Sequence, residues 1–118
     1  MRTLAMALAA VAILAGCGGG PAQPAGSIKV TMTEFQFAPS SVGAPAGKVV
    51  FFLVNSGTTS HNMIIRDSSN RRISSSSLVS AGDSSVFTVD SIAAGTYTIF
   101  CDQQGHEASG MKGTLTIT

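Results

Sequence analysis

Across residues 28–118, no window of about 11 residues or more sets its apolar side chains at helical spacing, which excludes more folds than any other feature of the sequence. The apolar residues fall instead in short runs rich in threonine and valine, parted by Gly, Pro, Ser and Asn. Such runs are strands, and their partings are turns. "IKVTMTEFQF" (28–37) sets Ile28, Val30 and Met32 on one face, then Phe35 and Phe37 in the opposite phase. That slip at residues 33–34 predicts a β-bulge. "APSSVGAPAG" (38–47) reads as a loop, and "KVVFFLV" (48–54) as a strand covered on both faces. "NSGTTS" (55–60) turns the chain and "HNMII" (61–65) begins another strand. The serine-rich residues 66–85, with Arg66, Arg71 and Arg72, read as a solvated connection between sheets. "SVFTVD" (85–90) and "TYTIFC" (96–101) are strands around a corner at 91–95, and "KGTLTIT" (112–118) closes the chain with Leu115 and Ile117 inward. Seven to eight short strands of this kind predict an all-β, Greek-key β-sandwich. "AAGTY" fits a tyrosine corner, in which the Tyr97 hydroxyl bonds backbone upstream.

With 118 residues there is room for one domain. The N-terminal stretch "MRTLAMALAAVAILAGC" stands apart from it: Arg2, an apolar run, then small residues before Cys17 have the shape of an export signal. The apolar run is well short of the ~20 residues a spanning helix needs. "LAGC" (14–17) resembles the lipobox of bacterial lipoproteins. This resemblance implies residues 1–16 as signal peptide, acylation of Cys17, and residues 17–27 as a lipid-anchored flexible linker with a reach of roughly 15–20 Å. Residues 28–118 are then the folded domain, exported and held at the cell membrane or in the periplasm. Without Arg2, six basic and six acidic side chains remain. No basic stripe runs along the sequence, so a nucleic-acid partner is not expected.

If Cys17 is acylated, Cys101 is the sole thiol in an oxidising compartment, with no disulfide partner and no Cys-x-x-Cys. Strand alternation puts Tyr97, Ile99 and Cys101 on one face. Gly105 and Gly110 allow the tight return that brings His106 and Met111 over the same end. His61, the other histidine of the two in the chain, begins a strand at the sandwich rim. Alone, Cys101 reads as an inert buried cysteine, Met111 as core filler and His61 as a rim histidine. Together, two imidazoles, one thiolate and a weakly held thioether form the donor set of blue-copper electron-transfer sites.

The region 28–118 also resembles a small cupredoxin of the plastocyanin/azurin family, through "SHN" (60–62), "GTYTIFC" (95–101), the Cys-x4-His-x4-Met run and Gly113. Its loop spacing is closer to rusticyanin- and auracyanin-like proteins. The resemblance implies one mononuclear type 1 copper, with His61, Cys101 and His106 as trigonal ligands and Met111 as the axial one. Asn62 matches the asparagine that braces the ligand loop. Asp102 stands where the family often has Ser or Thr bonded to that asparagine, and Gln104 where proline is common. Both departures bear on tuning of the potential. The function implied is a membrane-tethered, monomeric carrier of single electrons between a redox donor and acceptor, with exchange through the His106 edge.

Other readings fare less well. A lipoprotein copper carrier or chaperone in copper homeostasis should show a Met- or His-rich tract, and the sequence has none. Zinc gains little from the thioether. Catalytic copper proteins need further histidines, and hydrolysis lacks both a Gly-x-Ser-x-Gly and a spare histidine as base, so no enzyme is expected.

Overall fold

The computed structural model describes residues 20–118, in which the short runs pair into nine strands. They are β1 (Ile28–Thr33), β2 (Gln36–Ala38), β3 (Ser41–Ala44), β4 (Gly47–Asn55), β5 (Ile64–Arg66), β6 (Arg72–Ser75), β7 (Ser84–Ile92), β8 (Gly95–Phe100) and β9 (Lys112–Ile117). One sheet has the order β2-β1-β4-β7 and the other β3-β9-β8-β5-β6. All neighbours are antiparallel except β1 with β4 and β3 with β9. This is the expected all-β sandwich, and among the described residues it carries one or two strands more than the sequence suggested. The predicted signal peptide and Cys17 lie outside the described residues.

Alternation explains where the core sits. Val30 and Met32 of β1, Phe51 and Leu53 of β4, Ile99 of β8 and Leu115 of β9 are all fully buried between the sheets. Phe51 and Phe87 stack across β4 and β7 with ring centroids 5.7 Å apart. Each large side chain so buried contributes about 1.5–3 kcal/mol from the area removed from water. At the corner before β8, the Tyr97 hydroxyl donates to the Ala93 carbonyl at 2.7 Å, so the tyrosine corner is present.

Four local features differ from the sequence reading. The slip after Met32 is not a bulge but a two-residue hairpin: Thr33 pairs with Gln36, leaving Glu34 and Phe35 as the turn. A phase slip accompanies either feature, and no Gly, Asn or Asp marks this turn. Inside the predicted loop 38–47, β3 pairs with β9 and buries Val42 and Ala44, an alternation too brief to distinguish from a loop. Inside the serine-rich connection, β6 forms an exposed edge strand on β5, where no core face imposes a pattern. Finally, β5 starts at Ile64 rather than His61, and His61 is held by a lone bridge to Val79 instead.

At Gly113 the chain passes close to itself. It pairs with Ile99 in β9, and a Cβ there would run into the backbone carbonyl of Ser40, which already accepts from the Thr114 amide. Gly113→Ala should therefore cost about 1–3 kcal/mol of stability through overpacking. Urea unfolding of the metal-free protein measures this, and an unchanged midpoint would show that the strands part without cost.

Candidate metal centre

β8 delivers Cys101 to the end of the sandwich, and the backbone then closes a loop on itself. The Cys101 amide donates to the Met111 carbonyl at 3.1 Å, and the Met111 amide to the His106 carbonyl at 3.0 Å. Between them, His106 donates to Gln103, Ser109 to Gly105, and Gly110 to Glu107. Gly105 and Gly110 have φ of 80° and 107°, conformations that favour glycine, and so permit the return. On the opposite side, residues 55–61 are built around buried Asn55. Its side chain accepts from the Gly57 amide and donates to the Thr59 and Val79 carbonyls. That loop and the Val79 bridge set His61 facing Cys101.

The three donors converge. His61 Nδ1 lies 3.2 Å from His106 Nδ1, and Cys101 Sγ lies 3.4 Å from His106 Nδ1 and 4.0 Å from His61 Nδ1. The point equidistant from atoms so spaced is about 2.1 Å from each, within the roughly 2.0–2.3 Å of metal bonds to imidazole nitrogen and thiolate sulfur. The residues therefore fit one metal ion in a trigonal arrangement. His61 and Cys101 are wholly buried, while His106 is half-buried. Met111 is also wholly buried, and its main chain is bonded to both Cys101 and His106.

Around these donors stand groups that fix them. Asn62 donates to Asp102 Oδ1 at 2.6 Å and accepts from the Asp102 amide at 3.1 Å, so it is tied to the residue after Cys101 through both side chain and main chain. Asp102 Oδ2 also receives Arg72 at 2.8 Å. The Asn62 hydrogen bond above all, with Arg72 and Gln103 after it, holds the Asp102 carboxyl below the usual carboxylate range against the opposing effect of burial. Arg66 donates to both oxygens of Glu107, the nearer at 2.6 Å. Both guanidinium groups lie over the Phe100 ring, at 4.3 Å for Arg66 and 5.5 Å for Arg72. Burial, and then the nearby His61, push the His106 imidazole below its ordinary value, with Glu34 opposing.

Sequence reasoning missed four of these residues. Arg66 and Arg72, assigned to a solvated connection, instead grip the ligand loop through Glu107 and Asp102. Phe35, 40% exposed, packs edge-on against the His106 ring with centroids 5.0 Å apart. Glu34 Oε1 lies 3.1 Å from His61 Nε2. Backbone hydrogen bonds from Thr59 and Thr58, with help from the Thr59 hydroxyl, lower the Glu34 carboxyl to about 2. The misread hairpin hid the last two, because a bulge would have left them within one strand.

A two-sheet sandwich holding two imidazoles and a thiol within reach of one ion at its rim defines a class of mononuclear metal protein. Residues 4–117 match the family described as the cupredoxin-like domain, and the chain belongs to it. Among solved structures it is similar to auracyanin B, at 25% identity and a TM-score of 0.71, over 87% of this chain and 96% of that one. It is also similar to auracyanin A, a "blue" copper protein from Chloroflexus aurantiacus, at 22% identity and a TM-score of 0.67, over 85% and 100%. A mutant fern plastocyanin shares 27% identity at a TM-score of 0.58, over 76% and 99%. No curated protein matches in sequence. With the family established, His61, Cys101 and His106 are positioned as a single copper site.

Asn62→Ala removes both bonds to Asp102, one of them to a charged group, and should cost about 2 kcal/mol. Thermal unfolding of the metal-free protein reports it; an unmoved transition would mean that the arginine contacts alone hold the loop.

Proposed function

We propose that this protein is a type 1 copper protein that carries single electrons between a redox donor and an acceptor, acting as a monomer tethered to a membrane through acylated Cys17. The observation that supports it best is the convergence of two Nδ1 atoms and one Sγ at a buried rim, with only His106 reaching towards the surface. Copper bound there supplies a one-electron Cu(I)/Cu(II) couple. His61, Cys101 and His106 would hold the copper as its strong ligands, and the Met111 thioether would be a weak fourth donor. Because the loop is closed by its own amides and gripped by Arg66 and Arg72, the donors stay in place as the charge at the centre changes. Asn62 and Asp102 hold Cys101 against the strand that follows His61.

Burial of two of the three donors argues against a chaperone, which must open its site to hand metal on. The sequence holds no histidine beyond His61 and His106 for a second, catalytic metal, which supports a carrier rather than an enzyme. Electrons cross at the half-buried His106. Its surroundings suit a close, mostly uncharged contact: exposed Gly105, Ala108, Ser109 and Gly110, with Phe35 alongside. No helix among the described residues is long and apolar enough to cross a membrane, so anchoring rests on the resemblance of residues 14–17 to a lipobox.

Three experiments test the reading. Loaded with Cu(II), the protein should show an intense visible thiolate-to-copper band that Cys101→Ser abolishes without unfolding the chain. Met111→Leu should keep the band and raise the potential, since losing the axial donor disfavours Cu(II). A blue Cys101→Ser protein, or a lowered potential in Met111→Leu, would contradict these roles. Separately, Cys17→Ser should move the protein from the membrane fraction to the soluble one. Retention of all of it in membranes would reveal a different anchor.

A further inference from the structure

The hydrogen bond between Glu34 and His61 is the most unexpected contact at the centre, and it is a built one. One oxygen, Oε1, accepts from the Thr58 amide at 2.8 Å, the Thr59 amide at 2.8 Å and the Thr59 hydroxyl at 3.0 Å, and lies 3.1 Å from His61 Nε2. Gly57 leaves room for the group: a Cβ there would stand 2.6–2.7 Å from the two carboxylate oxygens. The acid comes from the β1–β2 turn and its cradle from the loop before His61, so two distant segments meet to make this contact.

A carboxylate can only accept, so the proton between the two groups belongs to His61 Nε2. An imidazole carrying its one proton there has its free lone pair on Nδ1, the atom that faces Cys101 and His106. His61 is fully buried, so bulk water is not there to supply a competing partner. The acids on the other side of the site are each paired with an arginine, Asp102 with Arg72 and Glu107 with Arg66. Among the described residues no arginine or lysine pairs with Glu34, and its titratable partner is His61 alone.

We infer that Glu34 is a positioning residue for the metal centre, fixing the His61 tautomer with Nδ1 towards the metal and setting an anionic charge behind that ligand that favours Cu(II) over Cu(I). The inference rests on the copper reading for its second half; the tautomer stands without it. A carboxylate behind a ligating imidazole raises the basicity of the ligand, and losing such a partner typically costs about 10–100-fold in metal affinity. The higher-charged ion suffers more from the loss.

The full-length protein tests both halves. In the metal-free state, nitrogen-15 NMR should show His61 with Nε2 protonated and Nδ1 bare. Glu34→Ala should give a mixture of tautomers, whereas Glu34→Gln, which keeps a carbonyl acceptor in the cradle, should preserve the single form. In the copper-loaded state, Glu34→Gln should weaken Cu(II) relative to Cu(I) by roughly tenfold, which raises a one-electron potential by about 59 mV. An unaltered tautomer in Glu34→Ala, or an unmoved potential in Glu34→Gln, overturns the inference. If Glu34→Ala does not fold, the potential of Glu34→Gln decides alone. A wild-type protein that takes up no copper would defeat the proposed function instead, leaving the NMR result to be judged separately.

Discussion

Closing the loop 101–111 onto the end of the sandwich is the constraint on which the rest of the site depends. Three donors must be brought within bonding distance of one point, yet two lie five residues apart on the same loop and the third is forty residues upstream. A flexible loop would pay for that arrangement in conformational entropy, at roughly 1–2 kcal/mol per residue fixed. Here the cost is offset before any metal arrives. The amides of Cys101, His106, Ser109, Gly110 and Met111 all find carbonyl partners within the loop. Arg66 and Arg72 then tie its flank to β5 and β6, and their guanidinium groups cover Phe100, which leaves little of the loop free to move. The ion pairs are half-exposed and individually modest. Their value lies in acting together on one short segment.

Such preorganisation suits electron transfer for a general reason. Cu(I) and Cu(II) favour different coordination, so a site that relaxed fully to each would have to move its ligands with every electron. Donors held by main-chain hydrogen bonds and buried against a close-packed core resist that movement. The burial gradient across the site adds direction. Of the three donors, His61 and Cys101 are sealed inside and His106 alone reaches towards solvent, which under the proposed function gives the electron one short exit.

How much of this was legible in the sequence follows from which residues carry a signal of their own. Histidine and cysteine are scarce in this chain, and the loop that carries Cys101 and His106 is punctuated by glycine, so those two and His61 could be singled out as a set, with Met111 beside them as the expected fourth. The long strands were readable because their alternation runs over several residues. β3 and β6 are too short for that, and β6 lies at a sheet edge where burial imposes no pattern. Arg66 and Arg72 stand among serines in a stretch that resembles any solvated connection, and it is their pairing with Glu107 and Asp102 that shows they face the ligand loop. Asp102 was visible as a departure from the family pattern. Its bond to Asn62 shows that a carboxylate can serve as the brace where a hydroxyl is common, provided that a cation such as Arg72 balances it.

The hairpin turn between β1 and β2 is where sequence reading and site chemistry part most widely. Its two residues are neighbours in the chain, yet each meets a different histidine: Glu34 at Nε2 of the buried His61, Phe35 edge-on to the His106 ring. One sets the electrostatics behind the sealed ligand, and the other lines the edge where a partner would approach. A bulge in a continuous strand would have sent these side chains to opposite faces of one sheet, with neither necessarily at the rim. A two-residue turn instead places both at the end of the sandwich, above the opening between the sheets. The turn is thus part of the metal centre although it contributes no ligand. Its length is constrained accordingly, because a residue added or lost there would disturb the partner of His61 and the cover of His106 in a single step.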